Sequence, residues 1–340
     1  ANIIIKSHAE TILGHRRGYF SAADATDTIR LLATPISPWQ LFDGAIAVYT
    51  MSSQMGFEAI LAGHTPHVFG QPFYAGWGLS KDRKPITGRT RILSRAQLFA
   101  AAMILYPIWY DPYRDRLCAL EDVLDTLEAQ SRAWRDDHRG WVACGMRLWK
   151  RPHLQSIFGR SKRIIFQNNL AKARHTSTRH QRNLMVWASG HQDLAFPATR
   201  IEDGFLRSRG LGATLTPPLS LVADRLGIYY DPRAPSQLEQ MIADTVTLRP
   251  DQKARAERLR QQVIGAGLTK YNAGQTAAEI TGTRRILVPG QVEDDASILT
   301  AAGDIKNNLA LLTAVRRANP DAIILYKPHP DVEARLRLGA

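Results

Sequence analysis

Arg284-Arg285-Ile286-Leu287-Val288-Pro289-Gly290-Gln291-Val292-Glu293-Asp294-Asp295-Ala296-Ser297 and, further on, Asp321-Ala322-Ile323-Ile324-Leu325-Tyr326-Lys327-Pro328-His329-Pro330-Asp331 are the stretches whose reading decides the fold. Each opens on a short apolar, β-branched run (286–288 and 323–326) and closes on a polar cluster. Between them, 307–318 carries Leu309, Leu312 and Val315 at three-residue spacing, the pattern of a helix. Strand, helix and strand in so short a span predict a βαβ unit with parallel, buried strands. Ligands of such sheets gather beyond the carboxyl ends of the strands. The first strand delivers Gln291, Glu293, Asp294, Asp295 and Ser297 to that edge, and the second delivers Lys327, His329 and Asp331. A solvated charged turn is the alternative reading of the same residues.

Working outward, the chain has 340 residues, 44% of them hydrophobic and 22% charged, the composition of a soluble globular protein with two domains or two lobes. Cys118 and Cys144 have no metal-ligand spacing and no disulfide framework to join, which fits a reducing cytoplasm. The longest apolar run, 98–106, stops at Pro107, well short of the roughly twenty residues of a spanning helix. A start at Ala1 and an end soon after Pro330 read as an internal piece of something longer. The net charge of +13 is uneven: 132–182 is densely basic against two acids, Asp136 and Asp137, with Trp134, Trp141 and Trp149 interleaved. Such a surface suits an anionic membrane face. It equally suits a solvated helix whose tryptophans pack inward. No nucleic-acid motif accompanies the charge, so nucleic acid is not expected as a partner.

Near the start, Ile3-Ile4-Ile5-Lys6-Ser7-His8-Ala9-Glu10 repeats the pattern of Ile324-Leu325-Tyr326-Lys327-Pro328-His329-Pro330-Asp331. Residues 45–50 predict a buried strand followed by Ser52-Ser53 and a helix over 54–62 containing Glu58. Serines before a helix are the makings of a phosphate site, or simply a cap. After a strand at 67–70 comes a Gly- and aromatic-rich loop, 71–83, suited to lie on a sugar or to pack as a connector. Helices are expected at 94–106 and 115–133, and a basic linker, with the domain boundary, at 147–162. A second α/β region has candidate strands at 163–166, 184–188, 219–222 and 228–230. Ser236 and Glu239 form a capping box opening a helix to about 246, and another helix spans about 251–264. Glu202-Asp203-Gly204 is placed in a loop, where a flexible backbone brings a carboxylate near ligand. The alternative is an ion pair with Arg200 or Arg207.

Several of these motifs carry a resemblance. Gly290-Gln291-Val292-Glu293-Asp294-Asp295-Ala296-Ser297, Lys327-Pro328-His329-Pro330, Glu202-Asp203-Gly204-Phe205-Leu206-Arg207-Ser208, and Met51-Ser52-Ser53-Gln54-Met55-Gly56-Phe57-Glu58-Ala59 resemble the signatures of the bacterial capsule polysaccharide β-Kdo transferases of the KpsC/LipA type. So does Gln71-Pro72-Phe73-Tyr74-Ala75-Gly76-Trp77-Gly78-Leu79. The resemblance implies two tandem modules and a GT-B-like α/β fold of two Rossmann-like lobes with parallel sheets, the nucleotide lobe being split between the chain's two ends. Residues 1–90 then correspond to the late part of the first module's nucleotide-binding lobe, and 91–162 to a helical segment and basic linker. Residues 163–283 correspond to the acceptor-side lobe of the second module, and 284–340 to the early part of its nucleotide-binding lobe. On this reading 1–90 and 284–340 complete one parallel sheet, with Ser52-Ser53 beside Asp295 and His329.

The implied activity is retaining transfer of β-Kdo from CMP-Kdo to a lipid-linked glycolipid acceptor in capsular polysaccharide linker biosynthesis. The implied place is cytoplasmic, peripheral on the inner membrane, among other capsule assembly proteins. Retention by double displacement needs a carboxylate nucleophile and a group for the acceptor proton. The resemblance puts Asp295 in the first role and Glu202 or Asp203 in the second. It assigns Gln291, Asp294, Ser297, Lys327, His329, Pro330, Ser52, Ser53 and Glu58 to the donor, and Arg207 to the acceptor side. No cofactor or metal is expected, because a donor with one phosphate needs no bridging cation and no Asp-x-Asp motif occurs. The alternative function is a non-catalytic capsule assembly or export component that binds an anionic glycolipid or membrane surface.

Overall fold

The structure, a computed structural model, describes every residue except 1, 13, 33, 35, 191–193, 195, 274–283, 338 and 340. The chain divides into two compact units, Ala1–Glu128 and Ala129–Ala340.

In the first unit, strand β1 (Ile3–Lys6) precedes helix α1 (Ala9–Ile12) and pairs in parallel with β2 (Ile29–Leu32). After α2 (Pro38–Asp43), three two-residue strands, β3 (Tyr49–Thr50), β4 (His67–Val68) and β5 (Lys81–Asp82), form a separate parallel sheet, with α3 (Met55–Leu61) between the first two. Phe57 and Ile60 of α3, Val68, Tyr74, Ala75 and Leu98 make its core. Ser94 and Gln97 close a capping box at the start of α4 (Arg95–Phe99), which runs on as a π-helical turn, Ala100–Leu105. An antiparallel hairpin, β6 (Trp109–Asp111) and β7 (Arg116–Cys118), leads to α5 (Leu120–Asp137). The loop 71–83 is a packed connector: Tyr74 and Ala75 are fully buried, and Arg89 donates to the carbonyls of Pro72 and Ala75 at 2.6 Å each.

The second unit is built on five strands: β8 (Trp141–Cys144), β9 (Ile165–Gln167), β10 (Asn183–Trp187), β11 (Thr199–Asp203) and β12 (Leu221–Asp224). Their spatial order is β12-β11-β10-β8-β9, parallel except for β12. Helices α6 (Arg151–Phe158) and α7 (Leu170–His180) flank β9 in sequence. The pleat explains the packing, since alternate residues face opposite sides. Trp141, Ala143, Met185 and Ile201 bury one face with Leu154 of α6, while Val142, Cys144, Leu184 and Val186 bury the other with Ala173 of α7. Beyond β12 come α8 (Gln237–Asp244), α9 (Pro250–Gly265), β13 (Arg285–Pro289), α10 (Ala296–Ala301), α11 (Asn308–Ala318), β14 (Ile323–Lys327) and α12 (Pro330–Glu333). β13 and β14 pair in parallel across α11, as the βαβ pattern predicts, but they form a two-stranded sheet and are not buried as expected: Leu287 is 64% and Ile323 42% exposed.

Four expectations are corrected. The chain's two ends do not share a sheet: among the described residues β1 pairs with β2, β3–β5 with one another, and β13 with β14. Glu202 and Asp203 end a strand instead of lying in a loop, and 228–230 forms no strand. The basic tract hides a central strand, β8, because the apolar run Trp141–Cys144 is only four residues long. Consequently 147–162 is no linker: it holds α6, whose Leu154 is 1% exposed. Of the tract's tryptophans, Trp141 is buried and donates to Asp137 at 2.7 Å, whereas Trp134 is exposed.

Leu154→Ala removes a fully buried side chain that no neighbour can replace. It is expected to lower unfolding free energy by about 2–5 kcal/mol, read as a reduced urea midpoint with an unchanged slope.

Candidate active site

The parallel strands of the second unit end at one edge, and the strand order reverses there. β9 lies outside β8 on one side while β10 and β11 follow on the other, so the crevice between β8 and β10 is a topological switch point. Three strand ends place side chains at this edge. β11 ends in Glu202 and Asp203, β10 ends in Trp187, and the short turn after β8, Leu148–Lys150, brings in Lys150. The Lys150 ammonium sits 2.9 Å from the centre of the Trp187 ring.

Asp203 is fixed by Arg207, whose Nε donates to Oδ2 at 2.7 Å. That guanidinium is 1% exposed and also donates from Nη1 to Ser208 Oγ at 2.8 Å. Its own backbone N–H donates to Lys270 O at 2.9 Å, and Gly210 N donates to Tyr271 O at 2.7 Å, which joins the segment after α9 to this edge. Gly204 permits the turn: a Cβ there would come 2.8 Å from Ser220 Cβ, inside van der Waals contact. Arg207 is therefore committed to Asp203, the ion pair raised as the alternative for this motif.

Glu202 has no arginine of its own. Burial pushes its carboxyl up to about 7, the Asp203 charge adds to the rise, and Lys150 and Lys270 oppose it. Burial likewise draws the Lys150 ammonium down to about 8, against the attraction of Asp203 and Glu202. Three tyrosines feel the same acids. Burial raises Tyr229 to about 12, with Glu202, Asp203 and Asp295 adding to the rise, and Tyr230 moves in the same direction. Tyr271 packs edge-on to His329, ring centres 6.3 Å apart. The Tyr230 backbone joins its segment to the βαβ unit, because Thr300 Oγ1 of α10 donates to the Tyr230 carbonyl at 3.2 Å.

On the βαβ unit the acid cluster separates into distinct tasks. Glu293 accepts from both the backbone N–H (2.9 Å) and Nδ2 (3.0 Å) of Asn308, and Gln291 N donates to Asn308 Oδ1 at 2.7 Å. Both residues therefore brace the loop. Asp294 pairs with Arg337 at 2.8 Å. Asp295 caps α10, accepting from Ser297 N at 3.0 Å and Ser297 Oγ at 2.8 Å. Asp294, Asp295, Arg337, Arg233 and Ser189 line a cavity of about 480 Å³. Lys327 closes β14, and its carbonyl accepts from Gly290 N at 2.7 Å. His329 precedes α12, which begins at Pro330, and its Nδ1 accepts from Asp331 N at 3.1 Å. That bond leaves Nε2 to carry the ring hydrogen, and burial holds the ring below the usual histidine range.

Three buried polar atoms of this group have no hydrogen-bond partner: Asp203 Oδ1, Asp331 Oδ1 and the Tyr230 hydroxyl. Buried acceptors left unpaired are costly, and at a cleft they are places for ligand donors. The structure thus brings Glu202, Asp203, Asp295 and His329 into one electrostatic neighbourhood of the second unit. Ser52, Ser53 and Glu58 belong to the first unit. There Ser53 O accepts from Tyr74 Oη at 2.6 Å, an approach that leaves no room for a side chain at Gly56. Gln54 stands at the cap position of α3 without a side-chain bond, while Ser53 Oγ accepts from Met55 N at 3.2 Å, the capping role given as the alternative to a phosphate site; burial raises the Glu58 carboxyl. Sequence reasoning missed Lys150, Tyr229, Tyr230, Lys270, Tyr271 and Arg337 as members of the site. Only a paired aromatic at 229–230 and Lys270-Tyr271 hinted at them.

The fold and the cluster define a parallel α/β protein with an acid-rich cleft at the carboxyl edge of its sheet. Residues 1–108, 174–281 and 266–339 match the family described as capsule polysaccharide biosynthesis protein, and the chain belongs to that family. It is 38% identical over its whole length to the capsule polysaccharide modification protein LipA of Neisseria meningitidis serogroup B, covering 50% of that protein. It is 44% identical over 143 residues, 41% of the chain and 32% of the relative, to the lipopolysaccharide-processing protein LpsZ of Rhizobium meliloti. The chain spans about half the length of the LipA proteins it matches. Among solved structures, it is similar to Thermosulfurimonas dismutans KpsC, β-Kdo 2,7 transferase. That match has 32% identity and a TM-score of 0.46, over 57% of this chain and 61% of the other. The β-Kdo 2,4 transferase of the same organism matches at 26% identity and a TM-score of 0.47, over 59% and 64%.

A carboxyl held at about 7 in the folded protein, against 4.5 ordinarily, contributes stability below pH 4.5 that is lost as pH rises through about 7. Glu202→Gln is therefore expected to flatten the fall in stability between those limits and to be the more stable protein at pH 8. Urea titrations across that window measure it. Parallel curves for variant and wild type would show that Glu202 does not titrate in it.

Proposed function

We propose that this chain carries a glycosyl-transfer site of capsule polysaccharide biosynthesis, moving Kdo from CMP-Kdo to a glycolipid acceptor with retention of configuration. The observation that carries the reading is the pair of buried, unpartnered carboxylate oxygens, Asp203 Oδ1 and Asp331 Oδ1, suited to sugar hydroxyls, in a group where the charges of Glu202, Asp203 and Asp295 all act on the Tyr229 phenol. Family membership and the likeness to LipA, a capsule polysaccharide modification protein, support the capsule polysaccharide class of the substrate.

In this reading Asp295 attacks the anomeric carbon as CMP departs, giving a glycosyl-enzyme ester, and the acceptor hydroxyl displaces the ester with Asp295 as leaving group. Glu202 takes the acceptor's proton, being the acid whose carboxyl lies near neutral and is not locked to an arginine. Asp203, held by Arg207, orients the acceptor through its free oxygen. The departing CMP already bears a phosphate charge, so it needs electrostatic stabilisation more than a proton. His329, as a neutral Nε2–H donor, and Lys327 supply that, while Gln291, Asp294, Ser297 and Pro330 shape the donor side. The chemistry uses no metal in this proposal, because the leaving group carries a single phosphate.

The protein works at the cytoplasmic face of the inner membrane, where a lipid-linked acceptor and other capsule assembly proteins are found. Exposed Arg160, Lys162, Arg163, Lys172 and Arg179 support this placement. Among the described residues no helix is long and apolar enough to cross a membrane.

Asp295→Ala is expected to abolish Kdo transfer, a loss of at least about a thousandfold, while CMP binding stays near wild type and stability falls only by the lost cap of α10, about 0.5–2 kcal/mol. Transfer at a comparable rate would remove Asp295 from the nucleophile's role. Intact-mass spectrometry of the wild type with donor alone is expected to show the mass of one covalently held Kdo.

Charge reversal at Arg160, Lys162, Arg163 and Lys172 is expected to weaken flotation with anionic vesicles. Wild-type binding itself should fall as salt rises, each basic residue being worth about 1 kcal/mol near the surface. Equal flotation of both proteins would argue against the membrane surface as partner of this face.

A further inference from the structure

Lys150 occupies a place that structural packing alone does not explain. It ends the turn after β8, at the switch-point crevice, with its ammonium against the Trp187 face and 5.5 Å from the centre of the Trp149 ring. A lysine needed only for its stem would send its charged head to solvent. Here the head lies against an aromatic face, and of its charged neighbours Asp203 and Glu202 favour the ammonium while Arg147 and Arg207 oppose it. Asp203, the larger of the two attractions on Lys150, already has a partner in Arg207 at 2.7 Å, whereas Lys150 is the foremost cation acting on Glu202. The other groups facing Glu202 are Lys270, Asp203 and the phenols of Tyr229 and Tyr230. Of these only Lys270 is cationic, and it lies on the segment whose backbone is bound to Arg207 and Ser208.

We propose that Lys150 is a positioning residue that acts through Glu202: its ammonium, held at the crevice by Trp187, keeps that carboxylate ionised and so sets the lower pH limit of the transfer reaction. This rests on the function proposed above, in which Glu202 accepts the acceptor's proton. Arginine at 150 preserves the charge, whereas methionine preserves the stem and removes it. Without the charge, Glu202 loses one of its two stabilising cations and its titration moves upward. The ionised fraction then falls at neutral pH and recovers in base.

The test measures two things on wild type, Lys150→Met and Lys150→Arg. The first is the carboxyl titration of Glu202 by carbon-13 NMR, the resonance assigned by its loss in Glu202→Gln. The second is the pH profile of kcat for Kdo transfer. Lys150→Met is expected to raise both the Glu202 midpoint and the acid limb by about one unit, a roughly tenfold loss of rate on the acid side with near-wild-type rate at high pH. Lys150→Arg is expected to restore both. A Glu202 midpoint unmoved in Lys150→Met overturns the proposal, as does a uniform rate loss at every pH. If the midpoint moves but the wild type transfers no Kdo, the Lys150–Glu202 link stands and the transferase reading falls.

Discussion

The buried guanidinium of Arg207 is the constraint on which the second unit's cleft depends. Taking a charge out of water is expensive unless it is paired and its hydrogen bonds are filled. Arg207 meets that condition by binding Asp203 at the end of β11 and the adjacent Ser208 hydroxyl. Its backbone is bound in turn: the N–H donates to Lys270 O, and the carbonyl accepts from Leu219 N at 2.7 Å. One residue therefore joins the strand end, the return into β12 and the segment that presents Tyr271 to His329. Removing either charge would leave the other buried and unpaired, and the three segments would lose their common anchor.

With Asp203 so occupied, the two adjacent acids of Glu202-Asp203 are unequal. One is tied to an arginine, and the other is left in a desolvated place beside it, where burial and the Asp203 charge raise its affinity for protons against the pull of Lys150 and Lys270. The same division runs through Glu293-Asp294-Asp295, where bracing, ion pairing and cavity lining fall to successive residues. Runs of like charge in a sequence look redundant. Folding distributes them, because successive residues on a strand end or tight turn point in different directions.

How much of this was legible depended on the strength of local pattern. The βαβ unit at 285–327 and the capping box at Ser236 follow from spacing and end signals, and both are found. β8 was hidden because four apolar residues inside a basic tract give too short a run to outweigh their flanks. β11 was hidden because Thr199-Arg200-Ile201-Glu202-Asp203 is charged, and its neighbours β10 and β12 supply the pairing that its own composition does not advertise. The acids were found by motif. Lys150, Lys270 and the tyrosines were not, since their membership depends on strand order and on a chain return from α9, and neither is encoded by local spacing. The expected sheet joining the two chain ends failed for the same reason: apolar strands show that a partner is needed, not which one.

Asn308 has a consequence for what this family of sequences can exchange. Its one amide accepts from Gln291 N and donates to Gln291 O and Glu293, and it does so while 2% exposed at the first turn of α11. Aspartate has the length but no hydrogens, and would set one carboxylate against another. Leucine has the volume but neither kind of atom, and glutamine overshoots by a methylene. Position 308 is therefore a site where similarity in size, polarity or charge, taken singly, is a poor guide to replacement, and where the alphabet of twenty offers one letter.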